Sequence, residues 1–336
     1  MTYVPLGGGI DLVTPPRQMK PGQCLYAVNY ECPISGGYRR ISGYAAVGPV
    51  VPGEGPLLGV VTFADQHYAI RKNGTTAKLY RLDSATWVEV GDVAEGRYEF
   101  VEVNFLATEA GRALYMVGEG KPYELKGGTL TEIADAQAGA SFIAIHRNHL
   151  ILGYPEGSVQ HSSVGDPLDW DTSTGSAGEI GVQESLTGLV PGTGGVLHIL
   201  CRDSIKTLYG SSSADFELRT TIPNSGAKPY SAQSLMQPYF IAERGITNLQ
   251  ATDQFGDFQP LQPGAMLEPL FAEDGWADRV VCSVISKRRA QYRVFFDDGS
   301  GVYMSPAGAT TVLFPHAPVV AHSGEFDNGE EVILFG

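Results

Sequence analysis

The chain has 336 residues, of which 43% are hydrophobic and 18% charged, and its formal net charge is −14. A protein that grips nucleic acid neutralises phosphates with Lys and Arg, so this acidic balance argues against a dedicated DNA- or RNA-binding protein. No apolar run is long enough to span a bilayer, and the start lacks the pattern of a secretion signal. We therefore expect no membrane insertion, and assembly in a reducing cytoplasm.

The 42 glycines and 21 prolines, spread without a low-complexity run, indicate many turns between short elements, which is typical of all-β proteins. The four cysteines lack C-x-x-C spacing, so the sequence indicates neither a zinc site nor a disulfide framework. Cys201 and Cys282 lie in apolar strand-like runs and are predicted to be buried free thiols.

Residues 1–55 form a predicted N-terminal docking arm, because strand periodicity is weak before Tyr38. Pro15 and Pro16 favour an extended conformation. The apolar positions in residues 23–30 are compatible with one or two helical turns. An extended segment of this kind buries little by itself, so it is expected to dock on something. Two alternatives stay open: the arm reaches another subunit or folds back.

Residues 56–336 are predicted to form a β-propeller. The run Leu57–Phe63 is typical of a buried strand, and Asn73-Gly74 is a strong hairpin signal within a meander of four short strands. Similar units recur roughly every 40 residues, as propeller blades do. Each sheet is apolar on both faces and needs two neighbours, so we expect about six or seven small antiparallel sheets around an axis. The strand-like run 332–336 either completes a blade begun near the N-terminus or belongs to a longer protein.

Residues 158–171, S-V-Q-H-S-S-V-G-D-P-L-D-W-D, are predicted to close a sheet. An alternating strand runs into Gly165, Asp166 and Pro167, which stop it because Gly permits positive φ and Pro supplies no ladder donor. Trp170 is large enough to cover the end of a small sheet.

Candidate chemistry is sparse, and we predict no catalytic, metal-binding or cofactor-binding residue. His146 and His149 flank a hairpin turn without a recognisable third ligand. The loop 297–301 lacks the alternating carboxylates of a calcium site. No G-x-S-x-G motif is present. A glycosidase pair of carboxylates stays possible in principle, with these candidates: Glu99, Glu102, Glu179, Glu184 and Asp203.

Several passages resemble structural proteins of the tails and connectors of tailed bacteriophages. They are G-G-I-D-L-V-T-P-P-R-Q-M-K-P-G-Q-C-L-Y-A-V-N-Y (residues 8–30), G-Y-R-R-I-S-G-Y (37–44), S-S-V-G-D-P-L-D-W (162–170) and F-I-A-E-R-G-I (240–246). The last is similar to a strand and turn of that group, which makes Arg244 and Gly245 further candidate blade-closing residues. Together these passages span most of the chain.

The resemblance implies a non-enzymatic virion protein of the tail nozzle or head-to-tail hub, of the tail tubular and packaged-DNA-stabilisation type. Its expected partners are copies of itself in a ring, typically a hexamer, and other tail or portal and adaptor proteins. Such a ring forms or seals the DNA exit channel. The expected location is the virion tail, after assembly in the host cytoplasm. Candidate subunit-interface residues are Pro15, Pro16, Arg17, Arg39 and Arg40.

Arg39 and Arg40 have two interpretations: an ion pair with a neighbouring subunit, using the fork geometry of arginine, or a solvated turn. The acidic charge fits a conduit, because negative charge along a lumen repels the DNA backbone and keeps double-stranded DNA in transit without tight binding. The alternatives are a carbohydrate-binding or glycoside-cleaving β-propeller and a propeller that binds other proteins. The S-x-D-x-G-x-x-W turns common in propeller glycosidases do not occur here.

Overall fold

The computed structural model describes residues 6–173, 176–252, 258–272 and 275–336. Within these ranges lie six four-stranded antiparallel sheets, and in each sheet the strands pair in chain order as a meander. The first strands of all six sheets line one central cavity, so the sheets surround a common axis. The chain is therefore a six-bladed β-propeller, which confirms the predicted all-β propeller of about six or seven small sheets.

Two short strands of the arm precede the first three blades of four strands each. These strands are, in chain order, β1 (Tyr30–Glu31), β2 (Arg39–Arg40), β3 (Leu57–Phe63), β4 (Gln66–Asn73), β5 (Thr76–Asp83), β6 (Thr86–Val93), β7 (Glu99–Asn104), β8 (Arg112–Val117), β9 (Tyr123–Lys126), β10 (Thr129–Glu132), β11 (Phe142–His146), β12 (His149–Tyr154), β13 (Ser158–His161) and β14 (Gly178–Gly181). One turn of 3₁₀ helix, Glu109–Gly111, precedes β8.

Blades 4 to 6 and a final hairpin complete the ring. Their strands are β15 (Leu186–Pro191), β16 (Leu197–Cys201), β17 (Ile205–Tyr209), β18 (Glu217–Ile222), β19 (Gln233–Leu235), β20 (Gln237–Ala242), β21 (Gly245–Ala251), β22 (Phe258–Leu261), β23 (Val280–Ser286), β24 (Gln291–Phe296), β25 (Ser300–Ser305), β26 (Gly308–Leu313), β27 (Ala321–Glu325) and β28 (Glu331–Phe335). The helix α1 (Glu268–Ala272) lies between blades 5 and 6, flanked by 3₁₀ turns at Ala265–Leu267 and Trp276–Arg279. No helix in the described ranges is long and apolar enough to cross a membrane.

Blade 2 illustrates why these sheets form a ring. Along β8, Leu114 and Met116 pack against blade 1, whereas Tyr115 and Val117 pack against blade 3. Successive side chains of a strand point to opposite faces, so a run of apolar residues makes both faces of a sheet apolar. Each sheet then needs an apolar neighbour on both sides, and stacking around an axis supplies them.

The hairpin β27–β28 occupies a seventh position between blade 6 and blade 1. Leu334 packs against Val60 of blade 1, and Ile333 and Phe335 pack against Phe295 of blade 6. Strand β28 covers residues 332–335 of the predicted run 332–336. It pairs with β27 and does not complete a blade begun near the N-terminus.

The arm folds back on blade 6 of its own chain. The Asn29 amide donates to the Thr311 carbonyl over 2.9 Å, and the Thr311 amide donates to the Ala27 carbonyl over 3.1 Å. Further along, the Ile10 amide donates to the Ala309 carbonyl over 2.8 Å. This pairing holds the segment extended against the edge strand β26. The helical turns predicted over residues 23–30 are therefore wrong.

A buried carboxylate anchors the arm. Glu31 has no exposed surface, and its oxygens accept hydrogen bonds from Arg289 of blade 6 at 3.0 Å and from the Gln291 amide at 2.8 Å. Arg39 of the arm donates to the same carboxylate over 2.7 Å. Burial alone would raise the pKa of Glu31, but these hydrogen bonds and the two arginine charges lower it below its usual range.

Within the propeller, two strands escape prediction from the sequence. They are β14, which reads G-E-I-G, and β27, which reads A-H-S-G-E. Glycine and polar residues have weak strand preference, so pairing with β13 and β28 decides the conformation of these two segments.

The thiols of Cys201 and Cys282 are buried and free, as predicted, and burial raises the pKa of each to about 12.

Replacing Glu31 with alanine should loosen the arm. The variant leaves the buried Gln291 amide and the Arg289 guanidinium without their acceptor, a loss of about 1–3 kcal/mol in the free energy of unfolding. Denaturant unfolding measures this loss, and limited proteolysis should cut the arm faster than the propeller. Glu54→Ala, at an exposed carboxylate near the C-terminal end of the arm, is the matched control. Equal protease resistance of the two variants would show that Glu31 is not the anchor.

Candidate functional site

The arm exposes apolar side chains to an unusual degree. Half of the large apolar side chains that are exposed in the described chain lie before residue 51. We call the following set the arm surface: Leu6, Val13, Leu25, Tyr26, Tyr30 and Ile34. Tyr26 is 79% exposed, although the backbone beside it is bonded to blade 6. Concentrations of exposed apolar groups typically mark surfaces that contact another protein.

The structure places Pro15, Pro16 and Arg17 in an exposed turn of this arm. The Gln18 amide closes the turn by donating to the Pro15 carbonyl over 2.7 Å. Just before it, the buried Asp11 carboxylate accepts amide hydrogen bonds from residues 13 and 14. The structure leaves these three residues accessible. Their role at a subunit interface stays a prediction.

Arg39 and Arg40 form the short strand β2. Arg39 donates to Glu31 within the same chain, so its guanidinium already has a partner. Arg40 is exposed. The inter-subunit ion pair stays a prediction, and of these two residues Arg40 is the better placed to form it.

The candidate blade-closing residues of blade 3 form one turn after β13. Gly165 has a φ of +71°, and its amide donates to the Asn148 carbonyl over 2.8 Å. The Asp166 carboxylate accepts the residue-168 amide, and the carbonyl of the buried Pro167 accepts the Trp170 indole N–H over 2.9 Å. The Trp170 ring packs against the cluster between blades 2 and 3. The turn therefore holds a tryptophan against the outside of that cluster.

Arg244 and Gly245 lie at the turn between β20 and β21. The Arg244 guanidinium donates two hydrogen bonds to Glu268 of α1, at 2.8 and 2.6 Å. Gly245 has a φ of +116°, and a side chain there would lie 2.9 Å from the Phe271 ring. This pair therefore fixes helix α1 on blade 5.

A polar cavity of about 270 Å³ lies on the propeller axis and is lined by the first strand of every blade and by β27. Arg97 reaches across it from blade 2. Its guanidinium donates to the carbonyls of Val281, at 2.6 Å, and Val319, at 3.1 Å, and lies 3.8 Å from the ring centroid of Tyr230. One side chain thus contacts blade 6, the segment between blades 4 and 5, and the segment that precedes the hairpin.

Glu99 is the one carboxylate among the described residues that line this cavity. Poor hydration raises the pKa of Glu99 to about 7, although the nearby Arg97 charge opposes the shift. The other suggested acids do not join it: Glu102 pairs with Arg112, and Glu184 binds the Ser204 hydroxyl. The described lining thus offers one carboxyl group, whereas glycoside hydrolysis ordinarily uses two that face each other.

The histidines of the His146 to His149 turn are buried, and one further histidine, His161, lies on the same face of blade 3. All three rings contact Phe216 of blade 4, with centroid distances between 5.2 and 5.6 Å. The three imidazole rings therefore pack around one phenyl ring. Across the described ranges, no three His, Cys, Asp or Glu side chains are grouped to hold a metal.

Comparisons with known proteins support the fold. No protein-family model matches the sequence, and no curated protein matches it either. Among solved structures, BBS1N in complex with ARL6DN is similar with a TM-score of 0.56 and 10% identity, over 86% of this chain and 90% of that one.

Virginiamycin B lyase from Staphylococcus aureus is similar with a TM-score of 0.52 and 11% identity, over 83% of this chain and 91% of that one. Chaetomium thermophilum Raptor is similar with a TM-score of 0.54 and 10% identity, over 80% of this chain and 26% of that one. At these identities the likeness establishes a shared β-propeller fold and nothing about activity.

Replacing Glu99 with glutamine should stabilise the protein at pH 8 and not at pH 5. The folded-state pKa of Glu99 is raised to about 7, so its contribution to stability is present in acid and is lost as pH rises through 7. Glutamine is neutral at both pH values, so the variant does not lose this stability at pH 8. Thermal denaturation at both pH values measures the effect, with the exposed Glu132→Gln as control. An equal gain at pH 5 and pH 8 would contradict this account of the cavity.

The free energy of unfolding should fall as pH drops from about 6.5 to 4. Burial lowers the pKa of His146 and of His198 to about 4 in the folded chain. As the pH falls from about 6.5 to 4, the unfolded chain therefore binds protons that the folded chain does not bind. Each histidine contributes on the order of 3 kcal/mol over that range. Denaturant unfolding at several pH values should give a shallower fall for His198→Leu than for wild type. His316→Leu, at an exposed position, should keep the wild-type fall.

Proposed function

We propose that this chain is a non-enzymatic structural protein that assembles with copies of itself through its N-terminal arm, as a tail nozzle or head-to-tail hub protein of a tailed bacteriophage. The observation that carries the proposal is the arm surface, apolar side chains exposed on a segment whose backbone is pinned to blade 6. A preordered apolar surface loses little conformational entropy when it binds, which favours a stable assembly.

The phage-like passages support the proposal by their positions. Residues 8–30 and 37–44 make up most of the arm, and the passage at 240–246 supplies the Arg244 contact that fixes helix α1. Two of the four passages therefore lie in the segment that carries the arm surface. Other tail, portal or adaptor proteins are the proposed further partners, and the virion tail is the proposed location.

A DNA passage in this proposal is bounded by several subunits and does not run through a single propeller. The axial cavity measures about 270 Å³, and Arg97 spans it, so a duplex cannot enter. The net charge of −14 fits a wall that repels phosphates and leaves the genome free to move. The single cavity carboxylate among the described lining residues favours this role over cleavage of a glycoside.

Native mass spectrometry and particle images of the purified chain test the proposal. We expect a closed ring with an axial hole, typically of six copies. The double variant Tyr26→Ser, Ile34→Ser should weaken assembly at least about tenfold, because truncating interface aromatic anchors commonly costs more than about 1–2 kcal/mol.

The matched control is Leu106→Ser, Met236→Ser, which removes equally exposed apolar side chains away from the arm and should assemble like wild type. Far-ultraviolet circular dichroism checks that all variants fold. A wild-type chain that stays monomeric, or an arm variant that assembles as well as its control, would count decisively against the proposal.

A further inference from the structure

The seventh position of the ring is half filled. Each of the six blades has four strands, whereas the hairpin there has two. Strand β27 lines the axial cavity, so β28 is the outer strand of the pair. Within the described part of the chain, β28 has β27 as its single strand partner. The space that the third and fourth strands occupy in a complete blade lies beyond it.

The free edge of β28 presents unpaired backbone groups. Val320 and Gly336 exchange two amide–carbonyl hydrogen bonds, at 2.9 and 3.2 Å. Because hydrogen-bonded and non-bonded pairs alternate along an antiparallel ladder, the next bonded pairs include Leu334 and Val332. The amides and carbonyls of Ile333 and Phe335 therefore point away from β27. An edge of this kind is a template for another strand.

A cavity of about 550 Å³ lies beside this edge. One wall contains Ile333 and Phe335, and another contains Leu57 and Trp87 of blade 1. Residues 44–51, which we call the strap, line the cavity as well. The strap is fixed near blade 6, where Tyr44 contacts Phe314, and at blade 1, where the Trp87 indole donates to the Pro49 carbonyl. It therefore crosses the outer side of the seventh position.

The residues that line the cavity indicate what kind of group it can hold. The strap reads Y-A-A-V-G-P-V-V, without a charged residue, and the rest of the described lining is mostly apolar, with His67 and Arg71 of blade 1 as the main exceptions. Arg71 is the one Arg, Lys, Asp or Glu among the described lining residues, and its guanidinium is bonded to the carbonyls of Val51 and Gly55. The volume corresponds to roughly 18 waters at about 30 Å³ each, with few polar partners on the walls. An uncharged, apolar occupant fits this lining.

We propose that an extended, uncharged segment of another protein chain adds to β28 as the third strand of the seventh blade. Its backbone pairs with the free groups of Ile333 and Phe335, and its side chains enter the cavity on one face and contact blade 6 on the other. This is strand addition to a sheet edge, in which backbone bonds give affinity and side-chain pockets give selectivity. The inference does not depend on ring assembly by the arm.

The size of the contact indicates what kind of partner supplies the segment. β28 has five residues, and a strand of that length is about 17 Å long. One such strand offers much less than the ~800 Å² that each partner contributes to a standard interface. The exposed strap beside it, with Val50 83% exposed, enlarges the contact. The segment is therefore an arm or terminal stretch of a larger chain, and an isolated peptide should bind it weakly.

A fluorescent peptide with the sequence of β25, Ser300–Ser305, is a suitable probe, because β25 is the fully buried third strand of blade 6. Fluorescence anisotropy with the full chain should give saturable binding. Ile333→Pro removes one outward amide and spares the pairing with β27, and it should weaken binding at least about tenfold. A peptide carrying lysine in place of Val302 and Met304 should not bind.

Ala46→Trp fills the cavity from the exposed strap, so it tests the site even if Ile333→Pro fails to fold. Its matched control is Ala85→Trp, in an exposed turn of blade 1, which should bind like wild type. Tyr26→Ser should bind the peptide normally, which separates this site from the arm surface.

Failure of the wild-type chain to bind the peptide, or equal binding of the peptide by Ala46→Trp and Ala85→Trp, overturns the proposal. Self-association that Ile333→Pro abolishes would identify a second copy as the occupant and would equally overturn the assignment to a different chain.

Discussion

The structure depends on sheets that are apolar on both faces. In β8 the alternation of Leu114 and Met116 with Tyr115 and Val117 sends apolar groups to both neighbouring blades. A sheet of this kind cannot face water on either side without a large loss of hydrophobic stabilisation. Stacking around an axis gives every sheet two apolar neighbours, and the ring is stable only when it closes. The hairpin β27–β28 provides that closure, because Leu334 packs on blade 1 and Phe335 on blade 6.

Closure of the ring of blades determines where polar side chains lie. The first strands converge on the axis, and their polar groups share a small cavity that Arg97 spans. Glu99 sits there with a raised pKa and without a second carboxylate among the described lining residues. Buried histidines elsewhere contact Phe216 or other packed groups and not a common ligand space. The described interior thus serves for packing and for tying blades together.

The periphery offers two different surfaces. The arm surface is apolar and exposed on a segment anchored by the buried Glu31, whereas the edge of β28 offers backbone groups beside an apolar cavity. The first suits the flat contacts between subunits of a ring, and the second suits a single extended segment. Both surfaces fit the role in assembly that we propose. They involve different residues, so variants in one leave the other intact.

Local sequence signals are sufficient to predict the all-β class, the meanders and most strand positions, because apolar periodicity and the Asn73-Gly74 and Gly-rich turns act over short distances along the chain. Strands β14 and β27 lack such signals and exist because neighbouring strands pair with them. Residues 23–30 have helical spacing, yet pairing with Thr311 keeps them extended. The Glu31 anchor, the span of Arg97 across the axis and the open edge of β28 join residues that are far apart in the chain. Closure of the ring brings these residues into contact, and no local sequence pattern indicates which distant groups will meet.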